Sequence, residues 1–146
     1  MKAIKTSQEA SQRTRKLVLA NGVFDLFHYG HLLYLEAASR MGERLVVAVT
    51  RDKFVNKGPY RPMFGEAQRA AIVGALRCVD QVILCDDSLD ALADVQPDIF
   101  AKGKDYIGKI EQRHADYCAA HGIEIAFTDE PLFSTTKIIH DRLRTG

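Results

Sequence analysis

The chain has 146 residues, 47% of them hydrophobic, and a formal net charge of +1. That length suits one domain around one core, and the near-neutral charge argues against nucleic-acid binding through bulk electrostatics. The three cysteines, Cys78, Cys85 and Cys118, show no CxxC spacing. They read as buried thiols of a reducing compartment rather than a disulfide frame or a zinc site. No apolar run reaches the length of a membrane span. The first 16 residues are polar and basic without the apolar stretch of a secretory signal. The expected location is therefore the cytoplasm, with no membrane partner.

In chain order, residues 1–15 (Lys2, Lys5, Arg13 and Arg15 among them) read as an N-terminal arm, and 16–146 as the domain. An apolar strand over 17–20 runs into the turn signal Asn21-Gly22 and then His28-Tyr29-Gly30-His31. Helical spacing follows over 30–41, then a strand at 45–49. The stretch 51–65, with Gly58, Pro59, Pro62 and Gly65, is the longest irregular one, and a loop that long in a compact domain is often functional. A helix is predicted over 66–77, a strand over 82–84, a helix over 88–95 and a strand over 98–101. The loop 102–109 carries Lys102-Gly103-Lys104-Asp105-Tyr106 and leads to a helix at 110–121, a strand at 123–127 and a last helix at 135–143.

This alternation predicts an α/β fold with a doubly wound, parallel, five-stranded sheet in a single domain. The first four strands are almost continuously apolar, as strands covered on both faces should be. The fifth alternates more, which suits an edge. Ligands of such sheets bind beyond the carboxyl ends of the strands, where successive connections diverge. The two histidines fall just past the first strand, at a strand-to-helix junction rich in free N–H groups.

A phosphate oxygen attacking the α-phosphorus of a nucleoside triphosphate redistributes charge over the α-phosphate oxygens, so donors fixed there lower the barrier. His28 and His31 suit that task, and Gly30 allows close backbone approach. The plainer role for such a pair is helix capping, but the strand–helix setting after Asn-Gly-Val-Phe-Asp favours the phosphate. Ser134, Thr135 and Thr136 open the last predicted helix, where hydroxyls and free N–H groups can meet a β- or γ-phosphate; they also suit an ordinary N-cap. Lys57 and Arg61 lie on a chain stiffened by Pro59 and Pro62, and Lys57 could reach pyrophosphate oxygens. Arg69, inside a helical pattern, either pairs with an acid or touches phosphate.

Lys102 and Asp105 are candidate contacts to the nucleotide or second substrate, with Lys104 and Tyr106 beside them. His114, His121 and His140 read as surface residues, and Asp86-Asp87 as a solvated acidic turn. No protein metal cage is legible, so magnesium is expected to arrive on the triphosphate.

Asn21-Gly22-Val23-Phe24-Asp25-Leu26-Phe27-His28-Tyr29-Gly30-His31 resembles the signature of the cytidylyltransferase-like nucleotidyltransferases, and the resemblance extends from about Lys16 onward. Within that superfamily the chain is most similar to the adenylyltransferase domain of ADP-heptose synthesis. The matching pieces are Lys57-Gly58-Pro59 with Arg61-Pro62, Ala75 to Asp80, Pro97 to Phe100, Lys102 to Tyr106, and Ser134-Thr135-Thr136.

The resemblance implies a Rossmann-like fold, a magnesium-bound nucleoside triphosphate and a homodimer. By position it makes His28, His31 and Lys57 the catalytic groups. It puts Gly22, Phe24, Asp25 and Gly30 in the nucleotide-binding turn, and the hydroxyl trio on the far phosphates. Asp129, Glu130 and Leu132 stand where glycerol-3-phosphate cytidylyltransferases carry Arg-Thr-x-Gly, and Lys104 stands where the heptose enzymes have Gly. The resulting expectation is transfer of the nucleotidyl group of ATP to a sugar phosphate, with heptose 1-phosphate the best single choice. The alternative is a CTP-dependent enzyme acting on glycerol 3-phosphate or another polyol phosphate. A nucleotide-binding sensor without catalysis is the competing class, against which the intact histidine pair argues.

Overall fold

A computed structural model describes residues 15–131 and 142–143. Five strands, β1 (Leu17–Gly22), β2 (Arg44–Thr50), β3 (Gln81–Cys85), β4 (Ile99–Lys102) and β5 (Glu124–Phe127), form one sheet in the order β3-β2-β1-β4-β5. Every pairing is parallel. Four helices connect them: α1 (Tyr29–Ser39), α2 (Glu66–Gly74), α3 (Ser88–Val95) and α4 (Gln112–His121). Short 3₁₀ turns sit at Asp52–Phe54 and Lys104–Tyr106.

The period-2 alternation of the strands builds two cores. Val18 and Ala20 of β1, Leu45, Val47 and Val49 of β2, and Ile99 and Ala101 of β4 face one way, against Leu35 and Ala38 of α1 and Val73 of α2. Leu19, Val46, Ala48 and Phe100 face the other, against Ala91 and Leu92 of α3 and Cys118 of α4. The sheet is therefore wound on both sides, and the near-continuous apolar runs have this cause. β5 lies at the edge, as its alternation predicts.

The strand order decides where a ligand can enter. From β1 the chain winds to β2 and β3, then crosses back to β4 on the other side of β1. The connections leaving β1 and β4 thus diverge and open a crevice above their carboxyl ends.

Boundaries differ from expectation in places. Asn21 and Gly22 are the last residues of β1 rather than a turn after it, because both pair in register with Ala48 and Val49 of β2. The second helix stops at Gly74, three residues early, with Ala75 as its cap. The fourth begins at Gln112. The N-terminal arm lies outside the described residues. So does the helix expected at 135–143, save Arg142 and Leu143, which are helical.

Candidate active site

A cleft of about 650 Å³ lies at this switch point. The end of β1 (Asn21, Gly22), the turn after it, the start of α1, the end of β4 and the start of α4 all contribute to its wall.

His28 is the N-cap of α1, and its Nδ1 accepts the Gly30 N–H at 3.0 Å. His31, three residues on, returns the favour: its Nδ1 accepts the His28 N–H at 3.2 Å. The pair is a capping box made of two imidazoles, satisfying two N–H groups that the helix itself leaves open. The rings stack with centroids 3.9 Å apart. A backbone N–H can only donate, so each Nδ1 must be bare. Each neutral ring then carries its proton on Nε2.

Both rings are held neutral. Burial lowers the pKa of His31 to about 4, helped by the neighbouring His28 ring, beside which a second proton is disfavoured, and by the charge of Lys57. Burial and then Lys57 lower that of His28. Capping and ligand-facing roles therefore coincide: the cap sets the tautomer, and two uncharged N–H donors line the cleft.

Phe24 supports this arrangement. Its ring meets His31 edge-on at 5.5 Å, and its backbone takes a left-handed φ of 54°. Gly22 must stay small here, since a Cβ would sit 3.0 Å from two atoms of the Phe24 ring.

Asp25 lines the cleft, but its oxygens are engaged. Oδ2 accepts from Arg61 Nε and Met63 N, both at 2.8 Å, and Oδ1 accepts from Phe64 N at 3.0 Å. Burial pushes its pKa up; these donors outweigh that and hold it below the usual carboxylate range. Asp25 thereby ties the loop 51–65 to the turn after β1. Lys57 and Arg61, on that loop, reach the cleft.

For Arg69 the structure decides between the two readings. It is 1% exposed and absent from the cleft wall. Its guanidinium donates to Phe64 O, Val23 O and Asp52 Oδ1 at 2.6–2.8 Å. With every one of those directions filled by protein, the acid-paired alternative holds and the phosphate contact does not. Lys104 also lies off the cleft wall, half-buried at the start of the 3₁₀ turn.

At the β4 end, Lys102 is buried and its Nζ sits 4.0 Å from the centroid of the Tyr106 ring and 5.2 Å from that of Phe100. Burial lowers its pKa. Gly103 lets Asp105 fold back, since a Cβ there would be 2.6 Å from Asp105 Oδ1. Gly30, Lys102, Asp105 and Tyr106 share the cleft with the histidines. Ser134, Thr135 and Thr136 lie outside the described residues, so their approach to the pair is not part of this geometry.

His114 departs from expectation. It was expected at the surface, yet it is 7% exposed and lines the cleft. The signal was present: His114 and Cys118 are four residues apart, hence on one helix face, and that face packs on the sheet. Asp87, expected as part of a solvated turn, N-caps α3 by accepting the Asp90 N–H at 2.9 Å, while Asp86 pairs with Arg51. Among the described residues no group of three or more His, Cys, Asp or Glu side chains comes together to hold a metal ion, and no helix is long and apolar enough to cross a membrane.

Comparison with known proteins bears on the family and the fold. The model of the cytidylyltransferase-like family matches residues 19–141. The chain is 40% identical over 134 residues to the bifunctional protein HldE of Azorhizobium caulinodans, covering 89% of this chain and 28% of that protein. It is 39% identical over 146 residues to the bifunctional protein HldE of Campylobacter jejuni subsp. doylei, covering 94% and 31%. The chain thus spans less than a third of the length of these relatives. Among solved structures, a lipopolysaccharide core biosynthesis protein from Thermoplasma volcanium superposes with a TM-score of 0.69 at 32% identity, covering 81% of this chain and 99% of that one.

Proposed function

The chain belongs to the cytidylyltransferase-like family, and from that premise we propose that it transfers the nucleotidyl group of ATP to a sugar phosphate, heptose 1-phosphate being the preferred acceptor. The observation that carries this reading is the histidine capping box, which points two neutral donors away from their backbone anchors at the switch point of the sheet. In the reaction an oxygen of the acceptor phosphate attacks the α-phosphorus. The bond to the bridging oxygen breaks, and pyrophosphate leaves with the electron pair. His28 and His31 donate to the α-phosphate oxygens as their charge rises, with no proton transferred. Lys57 neutralises the departing pyrophosphate, and the Ser134–Thr136 hydroxyls take its far end. Positioning and preorganised donors supply the rate, without a covalent intermediate.

Magnesium enters as part of the triphosphate substrate; the chief carboxylate near the histidines, Asp25, is already engaged by the loop. A homodimer and a cytoplasmic location complete this reading.

The test is pyrophosphate release with ATP or CTP against a panel of sugar and polyol phosphates. ATP with heptose 1-phosphate should be turned over fastest. Preference for CTP with glycerol 3-phosphate would move the assignment to the polyol branch, and failure to release pyrophosphate with any acceptor would remove the catalytic reading.

A further inference from the structure

Among the described residues, two buried side-chain atoms on the cleft wall have no hydrogen-bond partner: His114 Nε2 and Glu130 Oε2. Buried polar atoms are nearly always paired, so an orphan at a ligand cleft points to the ligand. The orphaning of His114 has a visible cause. The carboxylate of Glu111 lies 3.8 Å from its Nε2, beyond hydrogen-bond reach. The Glu111 carboxylate is drawn instead to Arg113, whose Nε donates to Oε2 at 2.9 Å. Arg113 is itself fixed to Asp87 at the start of α3, also at 2.9 Å. The imidazole is thus left facing the cleft with its Nε2 unbonded, and burial lowers its pKa although Glu111 acts to raise it. Glu130, just beyond β5, is placed beside Gly103, where a Cβ would come 3.9 Å from its Oε1.

Carboxylates gather at one end of the cleft. Near β1 it carries the imidazole pair with Lys57 and Arg61, the latter paired with Asp25. Beyond β4 it carries Asp105, Glu111 and Glu130, together with Lys102 and Lys109. Carboxylates repel phosphate and accept from hydroxyl and amino groups. The acceptor sugar phosphate brings a dianion directly on its sugar; a nucleoside brings only the singly charged α-phosphate. Tyr106 adds an aromatic ring to the same end, a surface on which a base can stack.

We infer that His114 and Glu130 are specificity-determining residues that bind hydroxyl or amino groups of the nucleoside part of the nucleotide. This rests on the nucleotidyltransferase reading and adds two residues to it. Glu130 Oε2 accepts from a nucleoside donor, and His114 Nε2 completes its bond with a second polar group.

The test is calorimetric titration with MgATP and, separately, with inorganic tripolyphosphate, which has the phosphate chain and no nucleoside. His114→Ala and Glu130→Gln should each weaken ATP about tenfold while leaving tripolyphosphate within about twofold. Retained tripolyphosphate binding also certifies that the variant is folded, and Glu130, less deeply placed, guards against collapse of the His114 variant. Equal weakening of both ligands in both variants would mean a structural role and overturn the inference. So would unchanged ATP binding, or an effect confined to the KM of the sugar phosphate. Wild-type protein that binds tripolyphosphate but shows no added affinity for ATP would overturn the nucleotidyltransferase reading itself; wild-type binding with indifferent variants overturns only this assignment.

Discussion

His31 Nδ1 accepts the backbone N–H of His28 at 3.2 Å, so the second histidine holds the first in place while its own ring stacks on it. One local device fixes a helix start, two tautomers and the direction of two donors. It also makes capping and catalysis separable by substitution. In His28→Asn the side-chain oxygen can still accept the Gly30 N–H, but the Nε2 donor is gone. Urea unfolding should shift by less than about 0.5 kcal/mol, since Asn is a good N-cap. Pyrophosphate release should fall by about 10²–10³ in kcat, the usual loss for one preorganised donor, with KM little changed. Loss of stability in step with activity would mean that the ring only caps.

The depressed pKa of His31 links stability to pH. In the unfolded chain this ring takes up a proton as pH falls through about 6.5; in the fold it resists until about 4. Between those values the unfolded state binds more protons, so stability is fully present above the upper value and is lost as pH drops towards the lower one. His28 is shifted in the same direction. The urea midpoint of the wild type should therefore fall between about pH 7.5 and about pH 5, and the fall should be smaller in His31→Gln. An equal fall in both would assign the acid sensitivity to other groups.

Asp25 is expected to act through the loop it anchors. In Asp25→Asn one oxygen becomes an amide donor facing the N–H groups of Met63 or Phe64, and the charge opposite Arg61 disappears. Stability should drop by about 1–3 kcal/mol, and limited proteolysis should cut the 55–65 region faster. Protection equal to that of the wild type would show that the loop holds without this carboxylate.

Arg69→Met removes the donor to three acceptors, two of them main-chain carbonyls. The expected cost is about 3 kcal/mol in chemical denaturation. Tripolyphosphate affinity of the folded protein should stay close to that of the wild type. Weakening of that affinity with no change in denaturation midpoint would restore Arg69 to the phosphate site.

Much of this molecule was legible because its signals are local. Alternating apolar faces and the order of runs imply a parallel sheet with helices on both sides. The edge position of β5 follows from its own alternation, and the two histidines three residues apart just after a strand meet at a helix start. The residues left open or misplaced depend on partners distant in sequence. Arg69 looks like any helical arginine until the loop carbonyl of Phe64, the turn carbonyl of Val23 and the Asp52 carboxylate close around it. His114 looks exposed until α4 lays the face it shares with Cys118 on the sheet.

By itself, then, the amino-acid order determined the fold class, the place of the crevice and the family, because periodicity and a short motif are properties of neighbouring residues. Tertiary structure alone decided which cations face the crevice, that Asp25 serves a loop, and that a histidine and a glutamate end with unpaired atoms beside it. Burial and pairing are set by segments that meet only when the chain is folded, and no window of sequence contains both partners.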